Sequence, residues 1–284
     1  MKTFVDVTIP IVTFLILAGV GMDLTARDFA RVRRQPLTMA TGLFAPLIVL
    51  PPIALSLTRV FEPSAEVEAG LMLVAACPIG GISNFYSYLA RASTALSVTL
   101  TGLSSLLAVV TIPALDRTFE LALGRPFGFS APAGLLIAQL LLMLALPIGL
   151  GMWVRRHWPH VADERRPLLQ RVGFGALGAL IAIVIWSEAD RFATGLSRTV
   201  PLAAAFVVMS LAAGWTVGGT IRSSAPDRFT LAAEFGTRNV AIASAIAVTL
   251  LGRIEFAVFA TIYFLTEVPI MLAAIALFRS RRRQ

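Results

Sequence analysis

Apolar runs separated by short charged loops recur nine times along the chain. A membrane helix needs about 20 mostly apolar residues. With that length as the unit, the runs fall at Val5–Leu24, Leu37–Leu57, Val67–Ala90, Thr94–Leu115, Ala131–Val154, Leu168–Ser187, Thr199–Ile221, Phe229–Leu251 and Ile254–Phe278. The pattern predicts an all-α polytopic membrane protein of about nine transmembrane helices. Composition agrees: 57% of the 284 residues are hydrophobic and 14% charged, against roughly 25% charged in a soluble domain. So few polar residues leave too little surface to face water.

The net charge of +8 suggests a nucleic-acid partner, but nucleic-acid binding needs a basic patch on a soluble face. Here the Lys and Arg residues sort instead by loop. Sixteen lie on one side of the predicted membrane (Arg27, Arg31, Arg33 and Arg34 among them) and seven on the other, such as Lys2, Arg59 and Arg125. Cytoplasmic loops carry the excess of positive charge. The N-terminus is therefore expected outside and the C-terminus in the cytoplasm, in a bacterial-type inner or plasma membrane. The first run reads as a span rather than a cleaved signal peptide. Lys2 is its only n-region cation, Asp6 follows closely, and Ala18 to Gly21 is its one cleavage-like stretch. The single cysteine, Cys77, excludes a disulfide framework.

One basic residue, Arg238, lies inside a span, and it belongs to a repeated pattern. Spans three and eight each carry a G-x-[S/R]-N motif, Gly81 to Asn84 and Gly236 to Asn239. Thr111-Ile112-Pro113 in span four is matched by Glu267-Val268-Pro269 in span nine, the prolines lying 32 and 33 residues after Gly81 and Gly236. Residues 5–115 (spans one to four) and 168–278 (spans six to nine) thus read as two copies joined by span five, 131–154. An offset of five spans, an odd number, turns the second copy upside down. Inverted repeats with interrupted helices at matching positions point to a secondary transporter with a midplane site.

Cys77-Pro78-Ile79-Gly80-Gly81 combines a proline without a backbone donor and two permissive glycines, so span three is expected to unwind there. The half-helix starting near Ser83 and Asn84 then offers N–H groups to an anion, and freed carbonyls can ligate a cation. Span eight has only Gly236 as a breaker. Glycines also serve close helix packing; the ionisable residues beside these ones favour interruption.

Glu234, Arg238 and Glu267 are the ionisable residues well inside spans, where such residues are costly and functional. On an intact helix Glu234 and Arg238, four apart, would neutralise each other. Glu267, beside Pro269, reads as a supporting or cavity residue rather than a ligand. Hard cations take oxygen ligands, and Ser83, Asn84, Ser97, Thr101 and Glu234 offer a suitable set, Ser97 and Thr101 sharing one helix face. An enzyme is disfavoured: His157 and His160 fall in the loop after span five, and Lys2 is the only lysine, so intramembrane serines lack a base. A channel and a sensor are the other classes weighed.

The stretches CPIGGISNFYSYLARASTALSVTLT (Cys77 to Thr101), EFGTRN (Glu234 to Asn239) and GVGMDLTARDF (Gly19 to Phe29) resemble the bile acid:sodium symporter family. The resemblance implies two inverted five-helix repeats forming panel and core domains, with two broken helices, here spans three and eight, crossing in the core. This chain is similar to a version lacking the first helix. The resemblance assigns a first sodium site to Ser83, Asn84, Ser97, Thr101 and Glu234. It also implies substrate between core and panel, near Gly81, Asn84, Gly236, Arg238 and Asn239. A second sodium site uses the same glutamate, neighbouring carbonyls and two glutamines; its positions here are Glu234, Phe235, Thr237, Arg238 and Pro46, with arginine and proline where the glutamines belong. A sodium ion about 4 Å from a guanidinium costs about 4 kcal/mol at an effective dielectric of 20, roughly a thousandfold in affinity. The expectation is sodium-coupled symport of an organic anion, bile-acid-like or a small carboxylate, with Arg238 replacing the second sodium. Proton-coupled or uncoupled transport, and an Arg238 that grips a substrate carboxylate, are the alternatives. The expected partners are the anion and the lipid bilayer, with no nucleic acid; the oligomeric state is left open.

Overall fold

The computed structural model describes residues 2–25, 30, 33–124 and 133–282. Arg27, Phe29, Arg31, Arg125 and Ala131, used above, lie outside the described residues. The described elements are helical: α1 (Lys2–Asp23), α2 (Pro36–Phe61), α3 (Ala65–Ala76), α4 (Ile82–Leu89), α5 (Thr94–Leu123), α6 (Ala133–Leu140), α7 (Leu146–His157), α8 (Pro159–Ser187), α9 (Ala189–Thr220), α10 (Ala225–Gly236), α11 (Val240–Ala245) and α12 (Ile254–Arg281). Wider π-helical turns join α6 to α7 (Leu141–Ala145) and extend α11 (Ile246–Leu250). Among the described residues, five helices are long and apolar enough to cross a membrane: Pro36–Phe61, Thr94–Leu123, Ile137–His157, Leu196–Thr220 and Ile254–Arg281. Spans two, four, five, seven and nine correspond to them.

The two motif-bearing runs are each split. α3 stops because Pro78 cannot donate an amide and biases the residue before it away from the helix: Cys77 is extended, at φ −66° and ψ 153°. α10 stops at Gly236, with Thr237 extended at φ −117° and ψ 108°. α11 restarts because the Asn239 side chain accepts from the Ile242 N–H at 3.1 Å, a helix N-cap. The same order occurs twice: a 12-residue helix preceded by a serine, Ser64 or Ser224, a break, a short helix, then a long helix with an interior proline, Pro113 or Pro269.

The two breaks meet. Ile79 and Arg238 form an antiparallel bridge, in which the Gly80 N–H donates to the Thr237 carbonyl at 3.1 Å and the Asn239 N–H to the Pro78 carbonyl at 2.9 Å. Backbone groups freed by the interruptions thus satisfy one another, as membrane depth demands. Around this crossing pack α2, α5, α9 and α12, while α1 packs on α7 and α8 to one side. Gly21 and Gly151 permit that second contact, since a Cβ on either would lie 2.1 Å from a carbonyl oxygen of the facing helix. Polar groups face inward, Ser83, Ser97 and Glu234 being fully buried, while Ile48, Val110 and Trp186 are exposed.

Several boundaries differ from expectation, α8 starting at Pro159 rather than Leu168 and α9 at Ala189 rather than Thr199. α5 runs to Leu123 rather than Leu115 and so carries a further acid, Asp116, which is buried. His157 and His160 lie not in a loop but at the end of α7 and the start of α8, exposed, because the chain turns at Trp158 alone.

Candidate functional site

Three elements bring the predicted oxygen set together. α4 starts immediately after the first break and carries Ser83 and Asn84; α5 carries Ser97 and Thr101 one turn apart; α10 carries Glu234 in its last turn. The Ser83 hydroxyl donates to Glu234 Oε2 at 3.2 Å and lies 3.3 Å from both the Ser97 and the Thr101 hydroxyls. Ser97 Oγ reaches Asn84 Oδ1 at 2.8 Å and also Glu234 Oε1. Thr101 Oγ1 is 3.2 Å from Asn84 Oδ1 and 3.5 Å from Glu234 Oε2. Six side-chain oxygens share three hydroxyl protons here, so acceptors outnumber donors. Ser83, Ser97, Thr101 and Glu234 are buried; Asn84 is partly open to a neighbouring cavity.

Arg238 leaves the helix at the break and does not pair side chain to side chain with Glu234. Its guanidinium donates instead to backbone carbonyls, Nη1 to Glu234 at 3.3 Å and Nη2 to Cys77. At the positions the resemblance gives a second sodium site, two carbonyls accept from the chain's own donors: that of Glu234 from Arg238, and that of Thr237 from the Gly80 N–H. Pro46 and Arg238 line one small cavity of about 10 Å³, together with Pro78, Ser104 and Thr111. That is room for about one water. Phe235 is buried, its Cβ against the backbone at Gly214 of α9.

A larger cavity of about 720 Å³ lies between α1 and α8 on one wall and the crossing on the other. Gly81, Asn84, Arg238 and Asn239 reach it, facing Ile16 and Val20. Its volume falls within the range of small-molecule pockets, roughly 300 to 1,000 Å³. Gly236 is not brought to it: the carbonyl of Gly236 accepts from the Tyr263 hydroxyl at 2.5 Å, and its α-carbon packs against Leu211.

Sequence reasoning missed the support that α12 gives the second break. The Tyr263 hydroxyl, besides donating to Gly236, accepts from the Arg238 N–H at 3.1 Å. Glu267 is fully buried and accepts from Thr237 Oγ1 at 2.9 Å, while its Oε2 has no hydrogen-bond partner among the described residues. The available signal was a tyrosine one turn before an intramembrane glutamate.

A model of the Sodium Bile acid symporter family matches residues 10–194. An uncharacterized sodium-dependent transporter, YocS, of Bacillus subtilis is 29% identical over 252 residues, which cover 86% of this chain and 75% of that protein. A probable chloroplastic sodium/metabolite cotransporter, BASS2, of Oryza sativa is 32% identical over 53% of this chain and 35% of its own length. The human sodium/bile acid cotransporter 4 is 25% identical over 81% of this chain and 53% of its own length. The aligned part of this chain therefore spans about a third to a half of the plant and human relatives.

Proposed function

The chain belongs to the sodium bile acid symporter family, a family of transporters and not of enzymes, and on that premise we propose that it imports an organic anion with sodium by alternating access. The observation that carries the reading is the oxygen cluster of Ser83, Asn84, Ser97, Thr101 and Glu234, drawn from both sides of the helix crossing. A hard cation with ligands at about 2.4 Å sets neighbouring oxygens of an octahedron about 3.4 Å apart. The 3.3 Å hydroxyl separations match that spacing and are long for hydroxyl hydrogen bonds, whose mode is about 2.7 to 2.8 Å. The YocS and human relatives are named for sodium dependence and sodium cotransport, which supports sodium as the ion. With the five long helices, α1, α8 and the two broken pairs bring the crossings to nine. The twice-repeated element order supports two copies, inverted in the bilayer, with α1, α7 and α8 as the panel.

The carrier uses one sodium ion rather than two. A guanidinium among the Glu234 and Cys77 carbonyls supplies a fixed positive charge where a second cation would sit, and like charges at that range repel strongly. Both terminal nitrogens of Arg238 are turned to these backbone carbonyls, which supports that role. The anion binds in the larger cavity, where Asn84 touches both it and the oxygen cluster. The test is thermal stability of the purified protein across a panel of carboxylates, steroidal acids and small 2-oxo acids included, with and without sodium. The expected outcome is a carboxylate that stabilises only when sodium is present. A protein indifferent to sodium, alone and with every carboxylate, would contradict the reading.

A further inference from the structure

Glu267 is a fully buried acid that the sodium cluster does not use, and acids at membrane depth are costly to keep. Its surroundings indicate its purpose. Thr237, in the middle of the second break, donates to Glu267 Oε1 at 2.9 Å; Glu267 Oε2 and the hydroxyl of Tyr86 on α4, which packs in one cluster with Met271 a turn further along α12, are both buried without a hydrogen-bond partner among the described residues. One turn earlier on α12, Tyr263 holds the backbone of Gly236 and Arg238. A carboxylate accepts at both oxygens, whereas a glutamine amide accepts at one. An acid here holds Thr237 with one oxygen and keeps the other free to accept from the Tyr86 hydroxyl.

The two donors belong to the two parts of the site. Tyr86 sits on α4 with Ser83 and Asn84. Thr237 is followed by Arg238 and Asn239, which line the large cavity. We propose that Glu267 is a positioning residue that holds the second break to α12 and takes up the Tyr86 hydroxyl when α4 moves, so that filling the sodium cluster is felt at the cavity wall. Closing of Ser83 and Asn84 toward Glu234 moves α4, and Tyr86, Glu267 and Thr237 carry that movement to Arg238 and Asn239. The proposal rests on the sodium-site reading above.

The test needs no substrate. Val20 lines the far wall of the cavity, on α1, and Cys77, the only native thiol, is fully buried. In a Val20→Cys background the labelling rate with a thiol reagent is measured in sodium chloride and in choline chloride at equal ionic strength. Sodium is expected to change that rate about threefold or more, and Glu267→Gln to cut the response to roughly half or less. In Glu267→Gln the sodium midpoint from thermal stability is expected to stay within about threefold of the native value. Tyr86→Phe, which removes one donor and leaves the acid, gives the same loss of response and serves if Glu267→Gln does not fold. A full labelling response in Tyr86→Phe or Glu267→Gln overturns the proposal, as does a lost sodium midpoint, which would make Glu267 part of the ion site. If the Val20→Cys background itself ignores sodium, the sodium-site reading fails first and the proposal falls with it.

Discussion

Ser97 has one proton and two acceptors, the Asn84 carbonyl oxygen at 2.8 Å and a Glu234 carboxylate oxygen. A cation in the cluster removes that conflict, because the hydroxyl then turns a lone pair to the ion and still donates to one neighbour. Hydrogen bonds to charged groups contribute about 1.5 to 3 kcal/mol, and each 1.4 kcal/mol is about a factor of ten. Ser97→Ala is therefore expected to raise the sodium midpoint about tenfold to a hundredfold, read from sodium-dependent thermal stability, and to lower stability without sodium by about 1 to 3 kcal/mol as Asn84 and Glu234 lose its proton. An unchanged midpoint would remove Ser97 from the site. At this scale the oxygen set was legible because Ser, Asn and Glu beside a proline–glycine break are out of place in a bilayer. The Tyr263 and Thr237–Glu267 contacts were not, because a hydroxyl within an apolar run has no periodicity that reveals what it faces. Asp116 escaped notice for a different reason: the helix that carries it continues eight residues past the apolar run.

The two helix breaks do for the elements what the oxygens do for the residues: each is incomplete alone. The first was legible in Cys77 to Gly81, since proline and paired glycines state where a helix fails. The second had only Gly236 to mark it, and the Asn239 cap that restarts α11 became evident only from the three-dimensional fold. Where they cross, Gly80 has no room for a side chain: a Cβ there would lie 2.7 Å from the Arg238 carbonyl oxygen and 3.0 Å from its carbon. Backbone atoms cannot swing aside, so Gly80→Ala is expected to cost about 1 to 3 kcal/mol. Gly81, its neighbour, has nothing within 4 Å of such a Cβ, and Gly81→Ala is expected to stay within about 0.5 kcal/mol of native. Thermal denaturation in detergent compares the pair; equal stability would mean that the crossing is looser than described.

For the whole molecule, length and composition already stated a helical protein in a bilayer, and five of the nine runs became helices long and apolar enough to cross it among the described residues. The rest depended on where the chain doubles back. α8 begins at Pro159, well before its apolar stretch, and spans three and eight became pairs of shorter helices, which only contacts between distant residues could determine. The charge pattern leaves one cation without a topological role, Arg238, and the fold puts its guanidinium among the carbonyls of Glu234 and Cys77. On the proposed reading, that guanidinium stands in for a second, mobile cation. A sodium titration of the purified native protein at constant ionic strength, followed by thermal stability, tests it most directly. One sodium site predicts a Hill coefficient near one, rising toward two in Arg238→Gln as the second site reopens; a coefficient near two in the native protein would contradict it.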